Sequence, residues 1–398
     1  MAKSTYTTTM KSRRRISQQG IVSLMTVTLI SILLTIITTG FLRIITRSQR
    51  AAIDKQLSAQ AYYAAETGIE DAKQAIKLQK NGTAVTKIQN ILNGQPDTCA
   101  PATWAGGAPQ ADGVIGENTQ YTCQLIDPSP TELEYDMGKD DTKLAIIRMP
   151  TTPAGVKFRT IKVTWHEYNG QNKLSPLSGG NIKDLPTADA WPLNTLAMMR
   201  LEFMTVKPTT SAQSTDCSGT CISRDQFYRN ERVYFVKPLH SASSDINMTL
   251  CREIESPASD NCSLDTQFDD GVKYANCTAN ECSVTIRLKA PNGTTTGGTT
   301  DYDIGSDNIS MLRIRSIYNK AHVKVEVFGD TAATDKKKIV GSQTVIDVTG
   351  RADQVYKRVR VRVPPANNPF PDYAVDVAED LCKLFRVTPT AVTNDCTP

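Results

Sequence analysis

Hydrophobic and polar positions change their pattern twice along this chain, and each change predicts a different element. From residue 21 to residue 42 no charge occurs, and Ile, Leu, Val and Thr dominate. A helix needs roughly 20 residues to cross a hydrocarbon core, and this stretch has 22. Its threonine and serine hydroxyls can bond the helix's own carbonyls, which makes them tolerable in lipid. Every charge in residues 1–20 is positive: Lys3, Lys11, Arg13, Arg14 and Arg15. The positive-inside rule then predicts a cytoplasmic start, one span and most of the mass outside.

The second pattern has helical period. Ile53, Leu57, Ala61, Ala64, Gly68, Ala72 and Ala75 recur every three or four residues, which puts them on one narrow stripe of a helix. Most are small, so the stripe predicts close packing on other helices. Proline is absent from residue 1 to Gln95, so nothing forces a break before Asn81-Gly82. A continuous helix over 21–80 spans about 90 Å, with a transmembrane first half and an amphipathic second half.

Beyond residue 81 the texture turns to short runs of period-two alternation, broken by Gly, Pro, Asn, Asp and Thr. Strands are predicted at 156–165, 194–206, 232–236, 283–289, 309–317, 322–328, 343–348 and 355–363. An amphipathic helix is predicted at 373–385, with Val377, Leu381, Leu384 and Phe385 on its buried face. The Thr- and Gly-rich stretch 291–300 predicts a linker. The fold class is therefore α+β: a leader (1–20), a long helix (21–80), a β-rich and cysteine-rich exterior (81–290), the linker, and a C-terminal β region (301–398) with a late helix.

Two segments carry a family resemblance. The leader ends in Gln19-Gly20-Ile21, directly before the apolar run. The block Ala61-Tyr62-Tyr63-Ala64-Ala65-Glu66-Thr67-Gly68-Ile69-Glu70-Asp71-Ala72 has an aromatic, two alanines, Glu, a small residue and Gly in order. Over residues 11–78 the chain resembles minor pilins of the PilX type within the type IV pilin superfamily. The resemblance implies cleavage after Gly20 by a prepilin peptidase, a mature chain starting at Ile21, and assembly with other pilin subunits into a filament whose core is a bundle of such helices. It implies a single-pass membrane protein before assembly and a place on the pilus or cell surface afterwards. A long helix followed by an antiparallel sheet is also the pilin plan.

The chain departs from the family at two positions. Most pilins begin the mature chain with Phe or Met, where this one has Ile21. Major pilins place a glutamate five residues in, to pair with a neighbouring subunit's amine, and here Met25 stands there. A carboxylate in lipid is costly unless paired, so its loss removes a recognition contact rather than helix stability. This points to a minor subunit, at the tip or otherwise, that supports assembly and adhesion to a surface. The alternative is a signal-anchored extracellular binding protein or adhesin that enters no filament.

Length and charge sharpen the picture. About 300 of the 398 residues lie beyond the helix, more than a major pilin needs. The formal charge is +4, but the leader carries five positive charges and no acid, so the mature chain is close to neutral. The basic balance therefore argues nothing for nucleic acid. The ten cysteines are Cys99, Cys123, Cys217, Cys221, Cys251, Cys262, Cys277, Cys282, Cys382 and Cys396. In an exported chain they read as disulfides, with Cys217–Cys221, Cys277–Cys282 and Cys382–Cys396 as local candidates. The first two of those hooks could instead supply four thiolates to zinc, at a spacing looser than usual zinc knuckles.

Candidate chemistry is sparse. Arg358, Arg360 and Arg362 alternate with valines, with Arg313 and Arg315 in a similar strand. Such a stripe can meet phosphates, but a solvated outer face explains it as well, and nucleic acid is not the expected partner. Asp301, Asp303 and Asp307 surround Gly305, but Leu312 occupies the position where a calcium loop needs a bidentate Glu, so a turn is the simpler reading. His166, His240 and His322 are scattered, and no nucleophile, phosphate-loop or metalloprotease motif is present. No enzyme activity, cofactor or metal is expected.

Overall fold

The computed structural model describes residues 18–102, 113–151, 153–168, 174–177, 191–206, 209–210, 220–221, 231–240, 245–250, 271–289 and 302–364. The predicted helix at 373–385, the stretch 291–300 and most of the leader lie outside them.

The first element is a single helix of 63 residues, α1 (Gln18–Lys80). It ends where the sequence allows it to. Gly82 takes φ +87, Thr83 N–H donates to Leu78 O at 3.0 Å, and Gly82 N–H donates to Gln79 O at 3.3 Å. These paired bonds around a left-handed glycine cap the last helical carbonyls. A short helix, α2 (Thr86–Leu92), follows.

Among the described residues sixteen strands come next: β1 (Val114–Gly116), β2 (Thr119–Asp127), β3 (Glu132–Met137), β4 (Thr142–Ile147), β5 (Thr160–Glu167), β6 (Met198–Val206), β7 (Thr209–Thr210), β8 (Thr220–Cys221), β9 (Arg232–His240), β10 (Asp245–Thr249), β11 (Gly271–Cys277), β12 (Glu281–Lys289), β13 (Ile309–Ile317), β14 (Ala321–Phe328), β15 (Thr344–Ala352) and β16 (Val355–Val363). All eight strands expected from alternation are present, two of them (309–317 and 355–363) with the expected ends.

The strands form two main sheets. The smaller is antiparallel, in the order β1-β2-β15-β16. The larger has ten strands in the order β3-β14-β5-β12-β11-β9-β6-β13-β4, with β10 paired to β12; β7 and β8 pair separately. Its outermost strands, β3 and β4, are consecutive in the chain and joined across residues 138–141, so the sheet curls into a barrel-like form. A core of aromatic and branched residues fills it, including Trp165, Phe158, Phe203 and Tyr234. Trp165 Nε1–H donates to Ala197 O at 2.9 Å, which satisfies its one polar atom.

The expected division at 291–300 does not separate two β regions. Strands β13 and β14 pair with β6 and β5 from before it, and β15 pairs with β2. Alternation predicts that a segment is a strand, but its partner is set by tertiary packing. The two sheets are also joined to each other. Arg362 of β16 donates to Glu134 Oε2 at 2.9 Å and to Glu132 O at 2.9 Å, and Gln343 exchanges bonds of 2.7 and 3.0 Å with the Glu134 backbone.

Candidate functional site: the long helix and its docking sheet

Among the described residues the first half of α1 is exposed throughout. Fifteen large apolar side chains between Val22 and Ile45 are exposed, Leu24 and Met25 at 70% each. Burying a side chain of this kind is worth roughly 1.5–3 kcal/mol, so this surface requires lipid or another apolar covering. Its threonine hydroxyls are satisfied internally. Thr35, Thr38 and Thr39 donate to the carbonyls of Ser31, Leu34 and Thr35 at 2.8, 2.8 and 2.7 Å, and Thr26, Thr28 and Thr46 do likewise. Among the described residues this is the one helix long and apolar enough to cross a membrane. Gly20 and Ile21 lie in its first turns, and Arg43, Arg47 and Arg50 follow the apolar run within one arc of the helix.

The second half packs within the chain itself. Ala61, Ala64, Ala72 and Ala75 are buried, as is Gly68; the helix lies on the chain's own four-stranded sheet, and Ala72 and Ala75 share a core cluster with Ile88 and Ile91 of α2. Small residues are needed here because two backbones approach closely. A Cβ on Gly68 would stand 2.7 Å from Val348 Cγ1 and 2.9 Å from the Tyr121 ring, while one on Gly350 of β15 would strike Ala61 O and Ala65 N. Close docking explains alanine and glycine equally well whether the partner is a helix or a sheet, so the stripe alone could not distinguish them. Ile53 is 55% exposed and Leu57 is half-buried, near the end of the sheet where Asp54, Lys55 and Ser58 line a cleft with Lys357 of β16. The sequence signal for the sheet is Gly350, which interrupts an otherwise regular strand, a common mark of close backbone approach.

Polar groups fix the docking. Gln124 of β2, fully buried, donates from Nε2 to Gly68 O at 2.8 Å and accepts Ala102 N–H at 2.7 Å. Tyr121 donates to Asp71 Oδ2 at 2.8 Å; burial first, then this carboxylate, raises its pKa. Lys87 of α2 reaches three carbonyls, those of Thr98, Ala100 and Gln124, and pairs with Asp97 at 3.2 Å. Burial lowers its pKa, and Asp97 works against that shift. Gln124→Leu keeps the volume but leaves the buried Ala102 N–H without an acceptor, so it is expected to lower stability by about 2 kcal/mol. A denaturant midpoint unchanged from wild type would contradict this account.

The structure brings some of the other sequence candidates into pairs. Cys277–Cys282 is a disulfide, as expected, and this removes two of the four thiolates a zinc site would use. Cys99–Cys123 is also bonded, a pair the sequence did not single out because its members are 24 residues apart. Cys217, Cys382 and Cys396 fall outside the described residues, as does the side chain of Cys221. The arginines are not one free stripe. Arg358 binds Asp347 through two nitrogens, Arg362 binds Glu134 at 2.6 Å, and Arg313 and Arg200 hold the buried Glu202 at 2.9 and 2.8 Å. Asp303 pairs with Arg159 at 2.8 Å. His166 and His322, far apart in sequence, stack with ring centroids 4.8 Å apart.

No family model, no curated protein and no solved structure matches the chain. A functional reading therefore rests on the geometry above: a bare apolar half-helix, continuous with a half that is tightly docked to a sheet.

Proposed function

We propose that this chain is a minor-pilin-like subunit that inserts in a membrane through the first half of α1 and is processed between Gly20 and Ile21. The observation that carries the reading is the division of one uninterrupted helix. Its apolar half is uncovered, and its small-residue half is clamped to an antiparallel sheet of the same chain. Such a clamp makes the folded exterior rigid with the helix, so a contact that fixes the helix in a bundle also fixes where the exterior is displayed. The ten-stranded sheet goes beyond what a helix-and-sheet subunit requires, and in this reading it is the displayed part, used in surface contact or adhesion. Met25, with no carboxylate to recognise a neighbour's amine, favours a minor subunit over a repeating one.

Hydrolysis of the Gly20–Ile21 peptide bond would leave a free amine on Ile21 and remove all five leader charges. Intact mass and N-terminal sequencing of the membrane-extracted chain, with and without a co-expressed prepilin peptidase, test this directly. The expected result is a chain beginning at Ile21 only when the peptidase is present. A chain still beginning near Met1 in its presence sinks the reading and leaves an anchored extracellular binding protein.

A further inference from the structure

The outer face of the ten-stranded sheet brings four titratable side chains into one row across four adjacent strands. Register pairs Glu281 of β12 with His166 of β5, His166 with His322 of β14, and His322 with Asp136 of β3. Directly opposed residues of antiparallel strands share a face, so all four project the same way. The two imidazoles stack at 4.8 Å with an angle of 28° between planes.

The hydrogen bonds fix both tautomers. His322 Nδ1 lies 2.7 Å from Asp136 Oδ1, and His166 Nδ1 lies 2.8 Å from the Glu167 carbonyl oxygen. A carboxylate and a carbonyl can only accept, so each Nδ1 carries the hydrogen. In the neutral rings each Nε2 then holds the lone pair, on two rings whose centroids are 4.8 Å apart. Neither has a donor among the described residues.

We propose that His166 and His322 are the protein ligands of a surface site for a divalent transition-metal ion of the zinc and copper kind. Imidazole nitrogen suits these ions. A metal-binding histidine typically donates its other ring N–H to a carboxylate or backbone carbonyl, which sets its orientation and raises its basicity. Both histidines already have that second bond. The metal would stand about 2.0–2.1 Å from each Nε2, which requires both rings to turn their Nε2 atoms towards one point. Asp136 and Glu281 flank the pair with negative charge, and Lys324, two residues along β14, is aimed at Glu326 Oε2 at 3.8 Å. No three ligating side chains converge among the described residues. The remaining coordination positions therefore belong to water or to a donor from another molecule, which makes the site open and exchangeable rather than a structural staple.

The test is Zn(II) titration of the full chain in detergent, with disulfides intact, at pH 7.5. Wild type is expected to show one component that His166→Gln and His322→Gln each weaken at least about tenfold. Asp136→Asn keeps both ligands and is expected to weaken it by about tenfold, the range for loss of an orienting carboxylate. A double histidine variant that binds like wild type overturns the proposal, as does an Asp136→Asn variant with unchanged affinity. A second readout needs no variant: the Cu(II)-loaded wild type should show nitrogen couplings from two imidazoles in its electron paramagnetic resonance spectrum. Their absence overturns the proposal as well.

Discussion

Replacing Gly350 with valine is expected to pull the sheet away from the long helix and to cost on the order of 3 kcal/mol or more. Gly350 sits at a register shift in β15, between Thr349 and Gly350 in its pairing with β2. A side chain there would run into Ala61 O and Ala65 N and stand 3.1 Å from Ala64 C. These are backbone atoms of a helix and cannot rotate aside, so relief requires the two elements to separate. Separation loosens the contacts of Gly68 with Val348 and Tyr121 and lengthens the buried Gln124–Gly68 hydrogen bond. Interiors tolerate such gaps poorly, because atoms across the gap lose their close contacts together. Gly116→Ala is the control, since a Cβ there meets nothing within 4 Å. Denaturant unfolding of both variants decides the matter. A Gly350→Val variant within about 0.5 kcal/mol of wild type would mean that the helix is not held by backbone contact at this point.

Much of the architecture was legible in the sequence because the two periodicities are strong. The absence of charge over 21–42 and of proline before Gln95 predicts one long helix, and the structure has it from Gln18 to Lys80. Alternation in Arg-Val-Arg-Val at 358–363 predicts β16 because each valine faces the helix side while each arginine faces away. Eight of the sixteen described strands, β2, β3 and β4 among them, have no counterpart among those expected. In β2, Gln124 occupies an inward position as a buried hydrogen-bonding residue, which breaks the apolar alternation. In β3 and β4 one face is only half-buried, and charged residues such as Glu132, Glu134 and Lys143 dominate it.

What the sequence could not supply was partnership between distant residues. The small-residue stripe specifies a close approach without naming the surface approached. The charge pairs Arg362–Glu134 and Arg313–Glu202 join residues more than a hundred positions apart. The histidine pair has the same origin: His166 and His322 become neighbours only because β5 and β14 pair in one register, and a shift of one residue would put one ring in the core. The disulfide Cys277–Cys282 was predictable because a tight turn between β11 and β12 brings its members together, whereas Cys99–Cys123 depends on how the segment after α2 lies against β2.

The largest effect is expected from charging the middle of the apolar run. Ile30→Arg with Leu33→Arg places two guanidinium groups on one face of α1, near the centre of residues 21–42. On insertion scales each arginine at a helix centre costs about 2.5–3.5 kcal/mol, and each Ile or Leu it replaces contributes roughly −0.5. The double change therefore moves the balance by about 6–8 kcal/mol against the membrane, more than snorkelling can recover from mid-span. Wild type is expected to stay in the membrane pellet after alkaline carbonate extraction, and the double variant to appear in the supernatant or to be degraded. Ile30→Leu with Leu33→Ile keeps the hydropathy and should behave as wild type. The sheets lie beyond residue 113 and Ile30 and Leu33 are exposed, so the variant's β-sheet region should retain its disulfides and its unfolding midpoint. That separates failed insertion from failed folding. If the double arginine variant remained in the pellet with its β-sheet region folded, lipid would not be what covers the bare half of α1, and an apolar protein partner would have to take its place.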